Sequence, residues 1–170
     1  MVSKIELWLN IIHYCFYKAE YKRHMFTNKI NPFVLLGRIP RVKRNLEKQG
    51  TTLVDVTNKV WTDKRLGFGI MISGGAVVIS IFLIGLAIFD ITNYLLGYPF
   101  EQSLLPFLIC IGLAYAFCHL TIFKDDKYIK YFKKLDKRPR SEKRKYAFFT
   151  LLFEVGSVAL WLYSFRFLPI

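Results

Sequence analysis

Residues 66–89 read LGFGIMISGGAVVISIFLIGLAIF, 24 positions without one charged side chain. At about 1.5 Å of rise per residue, a helix of that length crosses a hydrocarbon core of about 30 Å. Two further runs follow. Residues 103–123 (SLLPFLICIGLAYAFCHLTIF) are uncharged throughout, with Pro106 near the start, where its missing backbone donor costs least. Residues 146–165 are interrupted only by Glu154. Core helices of soluble proteins are sometimes apolar all round, but three such runs leave too little polar surface to cover them. The first residues lack the clean apolar region and small-residue cleavage site of a secretory signal. The expectation is an all-α integral membrane protein. It has three transmembrane helices (about 66–89, 103–123 and 146–165), an N-terminal amphipathic helix and basic cytoplasmic helices, divided as 1–65 and 66–170.

Charge sets the expected direction. The chain holds 25 Lys and Arg against 12 Asp and Glu, and the excess lies in residues 1–65 and 124–145, whereas residues 90–102 have no Lys or Arg. Loops rich in Lys and Arg stay cytoplasmic. The N-terminus and the 124–145 loop are therefore expected inside, the 90–102 loop and the C-terminus outside, in a bacterial inner membrane. Arg166 alone opposes this, and an Arg at a helix end snorkels to head groups. Tyr94, Tyr98, Trp161 and Tyr163 fall near the outer boundary, where amphipathic rings prefer to lie.

Before the first run, Ile5, Trp8, Leu9, Ile12 and Phe16 recur at helical spacing, and Glu6, Asn10, His13 and Tyr17 form a polar stripe of the same period. That pattern predicts a short amphipathic helix of about 14 residues, either lying on the membrane or packed on the cytoplasmic ends of the spans. Pro32, Gly37 and Pro40 make residues 25–40 an irregular connector carrying an apolar patch at 33–36. A basic helix should start at Pro40 and stop at Gly50. Thr52 and Asp55 resemble a capping box opening a helix that runs through Trp61 into the first span. After the second span, Tyr128, Tyr131, Phe132 and Leu135 share one face of a helix. Lys127, Lys130, Lys134 and Lys137 fill the other, followed by KRPRSEKRK at 137–145. Lys130, Lys133, Lys134, Lys137, Arg138, Arg140, Lys143, Arg144 and Lys145 are the candidate contacts for anionic lipid of the cytoplasmic leaflet or for a partner. Nucleic acid is not expected, because positive-inside topology explains these residues and no nucleic-acid module is present.

Chemistry is mostly absent. His13, His24 and His119 have no Cys, His, Asp or Glu at metal-ligand spacing, no phosphate loop or nucleophile elbow occurs, and neither cofactor nor catalytic residues are expected. Cys15, Cys110 and Cys118 offer no pair in an oxidising loop, so no disulfide is predicted. One residue stands out. Glu154 falls near mid-bilayer, where an ionised carboxylate is costly, and must be protonated, paired or facing water. His119, Tyr115 and Ser80 are its candidate partners; packing glue and an ion path are its candidate roles. Asp90 is expected at the solvent-accessible outer edge. Gly74, Gly75, Gly85 and Gly156 are candidate close-packing positions, in cis or between protomers. A homo-oligomer or larger complex is therefore expected. Two functional classes follow: a non-enzymatic subunit of a membrane assembly, or a homo-oligomeric pore, including a defence effector that depolarises the membrane. A third reading is an anchor that recruits anionic lipid or nucleic acid through its basic face.

Overall fold

The computed structural model describes residues 4–28, 31, 36–97 and 104–168. Pro32, the patch at 33–35, Tyr98, the rest of the loop to 102 and the expected span start at Ser103 lie outside the described residues. Among the described residues the chain is all-helical, without a strand. In chain order the helices are α1 (Lys4–Thr27), α2 (Pro40–Lys48), α3 (Leu53–Thr62), α4 (Phe68–Leu96), α5 (Leu104–Cys118), α6 (Lys127–Asp136) and α7 (Arg140–Ser164). Three of these segments are long and apolar enough to cross a membrane: Phe68–Leu96, Leu104–Asp136 and Arg140–Phe167.

The chain divides into two units, Phe16–Gly74 and the remainder. In the Phe16–Gly74 unit, punctuation follows local chemistry. Pro40 opens α2, and Gly50 sits past its end at φ +65°, a left-handed backbone that glycine adopts without a Cβ clash. Thr52 caps α3. Its Oγ1 accepts the Asp55 N–H at 3.2 Å and donates to Asp55 Oδ2 at 2.6 Å. The expectation that this helix continues into the first span is wrong. α3 stops at Thr62, and the Asp63 carboxylate accepts the N–H groups of Arg65 (2.7 Å) and Leu66 (3.1 Å), folding the chain into a turn. These two backbone donors hold the Asp63 carboxyl below the usual carboxylate range. Gly67 completes the turn, since any Cβ there would collide with the Asp63 carbonyl oxygen.

In the other unit, α4, α5 and α7 meet around Phe82, Leu86 and Ala114, with Cys110 and Trp161 packed against them. Besides Phe82 and Leu86, the two long helices bury mainly small or polar side chains. On α4, Val77, Ser80 and Ala87 have no exposed surface and lie at heptad positions. On α7, Thr150, Ser157 and Ser164 repeat every seven residues and are buried, while Phe148, Leu151, Leu152 and Val155 are exposed. A seven-residue repeat keeps one face of a helix against its neighbour. Small side chains allow close approach, and large apolar ones are left on the outside, the reverse of a helix that faces water.

α5 does not end simply. Its last turn widens into a π turn at His119–Phe123, followed by a 3-10 turn at Lys124–Asp126 in which Asp125 and Asp126 both have positive φ (57° and 52°). Asp is among the few side chains that tolerate this conformation, at an order of 1–3 kcal/mol each. The double break turns the chain into α6, which buries Tyr128, Phe132 and Leu135 and exposes Lys130, Lys133 and Lys134.

Candidate functional site

Two polar contacts tie α4 to α7. Ser80 Oγ donates to Glu154 Oε2, and Ser164 Oγ donates to Asp90 Oδ2 at 2.8 Å. In both the sequence offset is 74, so the two helices run in the same direction in one register. Ten residues separate the two contacts on each helix, about 15 Å. The serine is on α4 in one and on α7 in the other. Tyr94 and Phe167 pack at the far end, ring centroids 5.1 Å apart, as that direction requires. Each serine also donates to a carbonyl of its own helix, Ala76 for Ser80 (2.9 Å) and Trp161 for Ser164 (2.7 Å), so its one proton is shared. Of the three partners considered for Glu154, the contact is with Ser80. His119, exposed at the start of the π turn, stacks instead on Tyr115 with ring centroids 6.1 Å apart. Asp90 corrects its expectation. It is buried against Ser164 rather than open to solvent, because the Ser164 hydroxyl reaches the end of α4.

The glycines are placed differently. A Cβ added at Gly75, Gly85 or Gly156 would meet nothing within 4 Å, so among the described residues none of these three is a close helix contact. Gly74 is buried.

The second concentration of polar chemistry is where the first half of α1 docks on the break after α5. Burial cuts across the two expected stripes, taking Leu9 and Ile12 of the apolar one together with Asn10, His13 and Tyr17 of the polar one. Asn10 and His13 have no exposed surface, whereas Ile5 and Trp8 are 58% and 46% exposed. The helix also runs on to Thr27, well beyond the expected end. The π turn supplies the reason. Widening the helix withdraws backbone carbonyls from the usual ladder, and Asn10 Nδ2 donates to one of them, Thr121 O, at 3.1 Å. Lys127 Nζ donates to another, Leu120 O, at 3.1 Å and pairs with Glu6 at 3.3 Å. Glu6 also accepts from the Tyr131 hydroxyl at 3.0 Å. The His13 ring lies among Phe123, Tyr128 and Phe132 at 5.1–5.7 Å between centroids. Tyr14 donates to Asp136 Oδ1 at 2.8 Å, and burial followed by this hydrogen bond pushes its phenol well above the usual range. Burial likewise raises the Cys15 thiol.

Lys130, Lys133, Lys134, Lys137, Arg138, Arg140, Arg144 and Lys145 are exposed. Arg138 reaches Glu142 at 3.3 Å, and half-buried Lys143 donates to Asp136 O at 2.8 Å. Among the described residues no group of three or more His, Cys, Asp or Glu is placed to hold a metal ion, and the three cysteines are free thiols.

Asn10, His13, Tyr14 and Asp136 carry this docking; the sequence marked Asn10 and His13 only as members of a polar stripe, and gave no sign of Tyr14 or Asp136. The signal for the α4–α7 contacts was available in the spacing of Thr150, Ser157 and Ser164. Compared with protein-family models, curated proteins and solved structures, the chain matches none of them.

Proposed function

We propose that this chain is a non-enzymatic, complex-forming subunit of a membrane assembly, oriented with its N-terminal region and residues 124–145 on the cytoplasmic side of a bacterial inner membrane. The observation that carries the reading is where the ionisable groups go. The two carboxylates inside the apolar helices, Glu154 and Asp90, are each engaged by a serine of the neighbouring helix, while the cations of residues 130–145 other than Lys143 remain on the surface. A carboxylate spent on helix packing suits a subunit better than a conduction path, which needs such groups to face water. The open notches at Gly75, Gly85 and Gly156 are shaped for helices of another copy or of a partner subunit. The basic face is suited to anionic lipid of the cytoplasmic leaflet.

Purification in mild detergent, with the mass of the protein component measured by light scattering, tests this. The expected result is a mass above the single chain's 20.0 kDa, as a homo-oligomer or with co-purifying subunits, and a shift toward one chain in Gly156→Leu. A wild type that is a monodisperse single chain contradicts it. The pore reading is tested in planar bilayers. Conductance by the wild type that Glu154→Gln abolishes would move Glu154 from packing to an ion path.

A further inference from the structure

Helix α2 is more sharply two-sided than α1 or α3. At about 100° per residue, Val42 and Leu46 fall with the N-cap residue Ile39 within an arc of about 60°, and Arg41, Arg44 and Lys48 fill the opposite side. Val42 and Leu46 are half-buried, so the apolar edge opens toward its start, where Leu36 and Ile39 are 48% and 46% exposed. Arg38 and Arg41, both exposed, flank that open end in sequence. We propose that α2 and the turn before it rest on the surface of the leaflet that α4 enters, with Leu36 and Ile39 at the headgroup–acyl boundary and Arg38, Arg41, Arg44 and Lys48 among anionic phospholipid headgroups.

Three features argue for it. The 9 residues of α2 are fewer than the roughly 12–15 at which an isolated helix becomes even marginal in water, and none of them is buried, so the helix needs a surface to rest on. Too short to span, with an apolar edge and a cationic back, it suits the plane of a lipid interface. Charge chooses among occupants. Glu47 is the one acid among residues 38–48, against five Lys and Arg, and its partner is Lys43 at 3.7 Å; the other four cations are exposed. An anionic leaflet attracts each such cation within a Debye length of its surface. Tethering brings helix and lipid together. Between Lys48 and the uncharged run that begins at Leu66 lies one helix, α3, about 15 Å long, so α2 is held near the bilayer at high effective concentration. The basic row at 130–145 differs, because α6 buries the apolar side behind its lysines.

The test uses the full chain, with Cys15, Cys110 and Cys118 replaced by alanine, in proteoliposomes of phosphatidylcholine and phosphatidylglycerol. A nitroxide is attached at Ile39→Cys or at Arg44→Cys. Oxygen, which concentrates in lipid, should relax the Ile39→Cys label more than a water-soluble nickel chelate does, and the order should reverse at Arg44→Cys. In the Ile39→Cys chain, Arg38→Gln/Arg41→Gln should lower the ratio of lipid-bound to free α2 roughly 30-fold, the product expected of two cations at a membrane surface. Leu36→Ser should lower it about fivefold. All these positions are exposed, so the substitutions leave folding intact. Equal access of nickel to the two labels would place α2 in water and overturn the proposal. Exclusion of both reagents from Ile39→Cys would mean that protein, a second copy or another subunit, covers this edge in place of lipid. An unchanged ratio in Arg38→Gln/Arg41→Gln, or full contact in pure phosphatidylcholine, would overturn the anionic assignment. Phosphatidylglycerol in both leaflets frees the readout from the direction of insertion, and the position of α2 does not enter the oligomer mass, so this proposal and the subunit reading can fail separately.

Discussion

The α4–α7 seam and the docking of α1 on residues 119–136 are both buried and both rich in polar groups, yet they are built on opposite plans. In the seam Ser80, Thr150, Ser157 and Ser164 are buried, and large apolar residues such as Ile79, Ile88, Leu151 and Val155 are exposed. At the docking, α6 buries Tyr128, Phe132 and Leu135 and points Lys130, Lys133 and Lys134 outward. On the proposed topology the seam lies in hydrocarbon and the docking in water, and the difference follows from that. In hydrocarbon nothing is gained by hiding a leucine, so helices are joined by close approach and sparse hydrogen bonds. In water, aromatic burial supplies the driving force, and polar groups go inside only where the backbone demands a partner. Asn10 is inside for that reason.

Substitutions should therefore cost very different amounts in the two regions. The largest effect is expected for Phe132→Ala, which removes a ring packed against His13, Tyr14 and Tyr128. A loss of about 3–5 kcal/mol is predicted in a detergent-micelle unfolding titration. A loss below that of any seam substitution would mean that the docking is not aromatic-driven. Next is Asn10→Ala, expected to cost about 1–3 kcal/mol because the Thr121 carbonyl is left without its donor. Hydrogen exchange should rise locally at 119–126, and uniform exchange along α5 would refute the link between Asn10 and the π turn.

Tyr14 adds a pH dependence to the docking side alone. Its phenol titrates higher folded than unfolded, so the folded state holds the proton more tightly. That contribution is complete below the ordinary tyrosine value of about 10 and is lost as pH rises above it. Tyr14→Phe should cost about 1 kcal/mol at neutral pH and flatten the alkaline decline. An alkaline limb identical to wild type would exclude Tyr14 as its source. The smallest effect belongs to the seam. A double-mutant cycle of Ser80→Ala with Glu154→Gln should give a coupling of about 0.6 kcal/mol, at most about 1.7. A coupling as large as the Asn10 loss would erase the contrast between the regions.

The apolar helices were legible because a charge-free run is a strong signal that nothing else in the chain competes with. Thr52 and Asp55 marked the α3 start for the same local reason. Other features depended on contacts far apart in sequence. Asn10 was read as an outward-facing polar residue because its acceptor, Thr121 O, exists only once the α5 helix widens, and no residue between 119 and 123 announces a π turn. Asp63 looked like ordinary helix until its carboxylate took the two N–H groups that follow it. Glu154 was flagged by cost alone. Ser80 could be named among its partners but not chosen, since depth in a bilayer is not written in composition.

The most direct test of the central claim, that α4 and α7 cross the membrane side by side in the same direction, is labelling with a membrane-impermeant maleimide in proteoliposomes. Single cysteines are placed by Tyr94→Cys, Arg166→Cys and Lys133→Cys in a chain whose Cys15, Cys110 and Cys118 are replaced by alanine. The first two should label from one side of the bilayer and the third only from the other. Labelling of all three from the same side, or of Tyr94→Cys and Arg166→Cys from opposite sides, would contradict the arrangement.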